Sequence, residues 1–298
     1  MIDYPAALAV ALIVQTGSFE GAAKALSVTP SAVSQRVKQL EERLGAVLVE
    51  RGNPCVATDK GAWLCRHMEH VGMLEAELMR HLPGLVDPAS PAQRVTVNVA
   101  VNADSVGTWF LAAAAGFAGD SGHLLNIAID DEDHTADWLR RGRVLAAVTS
   151  LAKPVPGCQV RPLGRLRYHA TASPGYMHRH FPAGVSLEAI ADAPALTFNQ
   201  KDRLQHEWLR RAFGGVVDFP THWVASTQGF VDASLAGMGW ALNPVQLVRE
   251  HLAAGRLREL VPGAVLDRPL FWQVNRLVAD PLSDLTRHVV ATARRQLA

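Results

Sequence analysis

Ser31, Ser34, Gln35 and Lys38 recur at spacings that a helix places side by side on one face. That face offers hydroxyls, one carboxamide and one cation. Such groups suit base edges and phosphates in a DNA major groove, where short polar side chains and Gln or Lys read donor and acceptor patterns. Arg36 and Gln39 flank the stripe within reach of a phosphate backbone. An ordinary solvated face in a charge-balanced chain more often carries Glu with Lys or Arg, as this one does further on at Glu41, Glu42 and Arg43.

The opposite face of the same helix is apolar. Val33, Val37, Leu40 and Leu44 share it, over a helix expected from Pro30 to Leu44 with Thr29 as its N-cap. Two shorter helices precede it. One starts near Pro5 and closes at Gly17; the next is capped by Ser18 and carries Ala22, Ala23 and Leu26. Val47 to Val49, the turn Glu50 to Pro54, and Val56 read as a small hairpin, a wing with Arg51 at its tip to meet a phosphate. Thr58 caps a long helix from Asp59 to about Leu82, whose Leu64, Met68, Val71, Leu74, Leu78 and Leu82 form a stripe without a core of its own. Pairing with a second copy would bury it, and two reading helices match a two-fold operator.

With 298 residues, 49% of them hydrophobic, the chain has material for two or three compact units. Lys and Arg number 29 against 28 Asp and Glu, so bulk charge favours no partner. Residues 1–58 balance as well: Lys24, Arg36, Lys38, Arg43 and Arg51 stand against Asp3, Glu20, Glu41, Glu42 and Glu50. Cys55, Cys65 and Cys158 have no metal-like or paired spacing and read as reduced thiols. The first residues lack a basic segment followed by an apolar one, and no apolar run spans a bilayer, so a cytoplasmic protein without membrane contact is expected. No Gly-x-Ser-x-Gly, His-Glu-x-x-His or P-loop occurs, and His178 and His180 lack partners at ligand spacing. These absences speak against an enzyme or a metal site, and the leading helix-turn-helix against a transport binding protein.

Pro83 to Pro91, with three prolines and no periodicity, reads as a hinge. Beyond it, strands and helices alternate. Strands are expected at Arg94–Val101, Leu124–Ile129, Val144–Val148, Arg167–Ala172, Ala195–Phe198, Thr221–Val224 and Leu270–Val274. Helices are expected at Val106–Ala118, Thr135–Arg141, Pro174–His180, Arg203–Phe213, Ser226–Ala236 and Pro281–Leu297, with Asn102 to Ser105 as a turn. The expected fold class is α/β: a winged helix-turn-helix over 1–58, a dimerising helix and hinge over 59–91, and a two-lobed domain over 92–298. Lobe I takes 92–163 and 270–298, lobe II takes 164–269, and the chain crosses near Leu163–Leu166 and Arg268–Phe271.

Ligands of open α/β sheets sit beyond the carboxyl ends of the strands. The polar groups there are Asp104, Ser105 and Thr108 after the first strand, the acidic run holding Asp131 and Glu132 after the second, and Thr149 and Ser150 after the third. In the second lobe Asn199, Gln200, Lys201 and Asp202 follow a strand, and Ser226, Thr227 and Gln228 open a helix. Hydroxyls and free amides at helix starts receive a carboxylate, and Asp131 or Glu132 a positive group, so the set suits a zwitterion with a second cation.

Ser18-Phe19, Ala22-Ala23, the run TPSAVSQRVKQLEERLG from Thr29 to Gly45, and Leu48 to Arg51 resemble the DNA-binding domain of LysR-type transcription regulators. The lobes resemble the effector domain of that family, which shares the fold of periplasmic binding proteins. NADSVGTWF from Asn102 and DDEDHTADWLRRG from Asp130 are similar to its ArgP/LysG subgroup. The resemblance implies a regulator without cofactor that senses L-lysine or L-arginine and controls genes such as a basic amino-acid exporter. It implies effector contacts at Ser105, Thr108, Thr149 and Ser226, an operator in double-stranded DNA, a homodimer building a tetramer, and RNA polymerase as partner of an activator.

Overall fold

The computed structural model describes residues 2–82, 95–130 and 135–298. It divides into two compact units, Met1–Val97 and Asn98–Ala298.

In the first unit, α1 (Tyr4–Thr16) ends on Gly17 in the left-handed conformation, and Ser18 caps α2 (Phe19–Ala25) by accepting the Gly21 amide. Ser27 adopts a positive φ of 54° in the link to α3 (Pro30–Leu44), which Thr29 caps. α1 packs on α2 and α3 around Val10, Ile13, Val33 and Val37, all essentially without solvent contact. The wing is shorter than the apolar run suggests: β1 (Val49–Glu50) and β2 (Val56–Ala57) pair over two residues each. Its base is held by Glu41 of α3, whose carboxylate accepts the Leu48 and Val49 amides at 2.7 and 3.3 Å. What reads in sequence as one more solvated charge is thus a strand anchor. α4 (Asp59–His81) follows, capped by Thr58. Leu64 and Cys65 pack on the core, whereas Leu74, Leu78 and Leu82 stand about half exposed.

Gly61 in the first turn of α4 faces the wing. The Thr58 amide donates to the Leu48 carbonyl, and a Cβ on Gly61 would lie 1.9 Å from that same oxygen.

β3 (Thr96–Asn102) spans the boundary and leads into the second unit. The expected turn after it is helical instead: α5 (Ala103–Ser105) runs into a π-helical turn at Val106–Phe110 and then α6 (Leu111–Ser121). The helix therefore starts directly off the strand, with Asn102 as its cap residue. β4 (Leu124–Asp130), α7 (Thr135–Arg140) and β5 (Ala146–Thr149) complete this lobe's first pass, with β3 parallel to β5. β6 (Cys158–Ala172) is far longer than the strand expected from Arg167. α8 (Pro174–His180), α9 (Leu187–Ala191), β7 (Ala195–Thr197), α10 (Leu204–Phe213), β8 (Thr221–Trp223) and α11 (Thr227–Leu235) lead through the second lobe. They are followed by β9 (Ala241–Pro244), α12 (Val245–Ala253) and β10 (Arg258–Glu259). The return strand β11 (Val265–Asn275) and α13 (Ser283–Gln296) close the chain. Of these, α9, β9, α12 and β10 have no counterpart in the elements expected from sequence.

The main sheet has the order β10-β6-β11-β5-β3-β4, with β9 also on β6, while β7 and β8 form a separate parallel pair. β6 and β11 run antiparallel from Cys158↔Asn275 to His169↔Val265, and their register shifts between Leu270 and Phe271. Each lobe has its own aromatic core. Trp109, Phe110 and Trp272 fill one; Trp208 and Trp240, 5.6 Å apart, fill the other.

Arg167 and Asp267 face each other across the β6–β11 ladder through two hydrogen bonds of 2.7 and 2.9 Å. The guanidinium holds the Asp267 carboxyl below the usual carboxylate range. A lowered folded-state pKa contributes stability that is complete above the unfolded value and lost as pH falls through the folded one. The stability gap between wild type and Arg167→Gln should therefore be full at neutral pH and close on acidification through and below the carboxylate range, as read by urea melts at stepped pH. Gly61→Ala, forced against a backbone oxygen, should cost about 1–3 kcal/mol, the usual scale for overpacking, in the same melts.

Candidate DNA interface and effector cleft

On α3, Ser31, Gln35 and Lys38 are exposed, and Ser34 and Arg36 half-exposed, while Val33, Val37 and Leu40 are buried beneath them. The apolar face fixes the helix on α1, so the polar face is presented by a rigid element. The Ser31 hydroxyl lies 3.0 Å from that of Thr29. Lys38 stands 3.7 Å from Glu42, and both side chains are largely in solvent, so this pair is weak and leaves the ammonium available to a phosphate. The Arg51 guanidinium lies 4.9 Å over the Phe19 ring, which couples the wing to the start of α2 and limits where the cation can point.

In the second unit a narrow cleft, open to solvent, lies where the two lobes meet. Asp104, Asp130 and Asp202 line it together with Phe198, Thr227 and Phe230, and no Lys or Arg is among its described lining residues. Asp104 is its hub. The Tyr168 hydroxyl donates to one carboxylate oxygen at 2.7 Å and the Thr227 hydroxyl to the other at 2.6 Å. Tyr168 belongs to β6 and Thr227 to the first turn of α11, so one carboxylate from lobe I is held by both the crossover strand and lobe II. Gly107 explains the close approach: a Cβ there would stand 3.2 Å from the Thr227 methyl. Asp130, at the end of β4, accepts from the Trp138 indole at 2.9 Å. Asp202 accepts the Phe198 and Leu204 amides at 3.1 and 2.9 Å, shaping the loop that carries Phe198 into the cleft.

The structure brings Asp104 and Thr227 together. It puts other sequence candidates elsewhere. Ser105 is fully buried, its hydroxyl without a partner among the described residues. Thr108 donates to the Asp104 carbonyl at 2.6 Å. Thr149, buried at the end of β5, accepts the Leu151 amide, and Ser150 beside it is half-exposed. Asn199 accepts the Lys201 and Asp202 amides of its own turn, and exposed Ser226 caps α11 through the Gly229 amide. Asp131 and Glu132 lie outside the described residues.

Of the lining and supporting groups, Tyr168 is not marked by sequence pattern, whereas Asp130 and Asp202 stand at strand ends where the sequence places polar groups. Tyr168 sits mid-strand, 64 residues from Asp104, where no local spacing singles it out. Asp202 belongs to the polar stretch Asn199 to Asp202 that follows a strand of the second lobe, and its carboxylate closes the loop before α10. Asp130 is visible only as the first of an acidic run.

A winged helix-turn-helix and a two-lobed α/β domain with a polar cleft between its lobes define a DNA-binding regulator that responds to a small molecule. Residues 8–62 match the bacterial regulatory helix-turn-helix model of the lysR family, and residues 90–298 match the LysR substrate binding domain. The transcriptional regulator LysG of Mycobacterium tuberculosis is 42% identical over 292 residues, spanning 98% of this chain and 94% of LysG. ArgP of Pseudomonas aeruginosa is 39% identical over 293 residues, 98% of this chain and 96% of ArgP. Among solved structures, ArgP from Mycobacterium tuberculosis superposes with a TM-score of 0.77 at 40% identity over 100% of this chain and 99% of that one. Full-length LysG from Corynebacterium glutamicum with bound effector arginine gives 0.67 at 37% identity, over 99% of both chains. The chain belongs to the LysR family of transcription regulators.

Thr227→Val keeps the shape of the packing against Gly107 but removes the hydroxyl from Asp104. A hydrogen bond to a charged group is worth about 1.5–3 kcal/mol, and the half-buried site puts the expected loss near the lower figure, measured by chemical denaturation of the full chain.

Proposed function

We propose that this regulator senses a basic amino acid, L-lysine or L-arginine, in the cleft between its lobes. The observation that carries the reading is the convergence of Asp104, Asp130 and Asp202 on one cleft whose described lining holds no Lys or Arg. Carboxylates gathered on partly desolvated walls attract a cation and repel an anionic ligand. The arginine bound to the Corynebacterium glutamicum relative supports the same chemistry. Phe198 and Phe230 supply apolar walls for an aliphatic side chain. Ser105 is retained as an inner ligand group, because its buried hydroxyl has no partner among the described residues. Asp131 and Glu132 are proposed to add to the negative rim, and Thr108, Thr149, Ser150, Asn199 and Ser226 to form an outer polar shell.

α3 is proposed to read an operator half-site through Ser31, Ser34 and Gln35, with Arg36, Lys38 and Arg51 on phosphates. The half-exposed leucines of α4 support a homodimer with two reading helices, and the sensors would associate further into a tetramer. The effector shifts the DNA-bound arrangement only by binding one arrangement more tightly than the other. RNA polymerase is the further partner if the outcome is activation.

Calorimetric titration of the full chain with the twenty amino acids tests the effector. Saturable heat confined to lysine, arginine or close analogues is expected. Its affinity should fall at least about ten-fold in Asp104→Asn, the scale on which removing one charged partner acts. Silence from both basic amino acids would remove the assigned effector. Gln35→Ala should weaken operator binding by about 1–3 kcal/mol while leaving random DNA unaffected; an equal weakening on both would make Gln35 a phosphate-binding residue.

A further inference from the structure

Three features coincide where β6 and β11 pass from one lobe to the other. Gly164 has a φ of 128°, outside the range that other residues adopt readily. Its partner on β11 is Leu270, and the ladder shifts register immediately after that residue. The next pair, Arg165 with Pro269, exchanges no hydrogen bond, because the Arg165 amide and carbonyl both point away from β11. The two-stranded crossing is thus weakest at one level, and a lobe rotation would bend it there.

A third segment occupies that level. Arg165 donates its amide to the Ala298 carbonyl at 2.9 Å, and the Ala298 amide donates back to the Arg165 carbonyl at 3.0 Å. This reciprocal exchange is the hydrogen-bonded pair of an antiparallel ladder. Leu297 lies directly on Gly164: a Cβ at Gly164 would be 3.0 Å from the Leu297 Cβ and 3.1 Å from the Ala298 carbonyl oxygen. The absent side chain of Gly164 therefore makes room for these residues. They follow α13, which packs on α6 of lobe I. One residue earlier, the Gln296 carbonyl accepts from the Gln246 carboxamide at 2.9 Å. Gln246 belongs to α12, which packs on β9 and α11 of lobe II. The end of α13 and the two residues beyond it are thus tied to both lobes and to the hinge strand between them.

We propose that Leu297 and Ala298 form a strap that stiffens the interlobe hinge and so sets how readily the cleft opens. The strap grips β6 three residues before Tyr168, the residue whose hydroxyl holds Asp104 in the cleft. Slack at Arg165 is passed along one strand to the Asp104 clasp.

Amide hydrogen exchange of the full chain without effector tests this, comparing wild type with a chain lacking Leu297 and Ala298 and with Gln246→Ala. The readout is the β11 segment from Leu266 to Phe271, which loses no hydrogen bond to the strap in either variant. Exchange there should accelerate about ten-fold in the shortened chain and in the same direction, less strongly, in Gln246→Ala, with β3 and β5 unchanged, as for a local opening. Acceleration confined to the Arg165 amide would show a local cap and overturn the proposal, as would uniform acceleration throughout the sensor. Should the shortened chain fail to fold, Gln246→Ala decides alone: an unchanged β11 segment sinks the strap. Because no effector is added, the outcome is independent of which amino acid the cleft takes.

Discussion

The antiparallel ladder of β6 with β11 is the constraint on which the sensor depends. The side-chain bridges and the Leu297–Ala298 segment act on the lobes through or alongside this ladder. The ladder gives two covalent crossings locked by paired backbone bonds from Cys158↔Asn275 to His169↔Val265. Two crossings restrict the lobes to bending about one axis, much more tightly than a single linker would. The Arg167–Asp267 pair reinforces the lobe II side of the ladder, leaving the level of Gly164, Leu270 and Pro269 as the place where deformation is least costly. A sensor needs such localisation, because a hinge that yields everywhere would spread the ligand's differential binding energy over many soft motions.

The cleft completes the logic. Asp104 is a charged group placed at the point where both lobes can reach it, and two hydroxyls from the far side of the cleft bind its carboxylate. Hydroxyls are a modest substitute for a cation. They keep the carboxylate from being stranded, yet a guanidinium or ammonium would bind it more strongly. Asp130 and Asp202 are each partly committed, to an indole and to two backbone amides, which fixes their positions without cancelling their charge. The result is a negative cleft whose carboxylates are positioned by neutral donors.

How much of this is readable beforehand follows from the range of the interactions. Caps and periodicity are local, and the caps at Ser18, Thr29 and Thr58, the helix bounds of α3 and the buried face of Val33, Val37 and Leu40 are where the spacing puts them. The long strand β6 is only half legible: Pro162, Gly164 and three arginines interrupt its apolar alternation, and only the ladder with β11 makes it one element. β9 and α12 meet at Pro244, which reads as a breaker although it joins a buried strand to a helix. The site is legible at Asp104 and Thr227, which stand at a strand end and a helix start, and illegible at Tyr168, whose role exists only once the strand has been placed against the opposite lobe. The hydroxyls of Ser226 and Thr149, which have the type and place for a ligand, also accept a backbone amide of their own turn.

The same distinction applies to the DNA face. The polar stripe of α3 is exposed where the spacing puts it, and a helix seated by Val33, Val37 and Leu40 would lose little entropy on docking. Glu41 shows how narrow the margin is between reader and scaffold. It lies on the same helix, only three residues beyond Lys38, and sequence gives it the look of a surface charge, but its carboxylate spends its acceptors on the amides that begin the wing. The face that reads and the residue that holds the wing are one helical turn apart, so the angle between α3 and the wing is set within a single rigid element. Arg51 on Phe19 extends that element to α2. The angle between α3 and the wing is therefore fixed inside this unit itself.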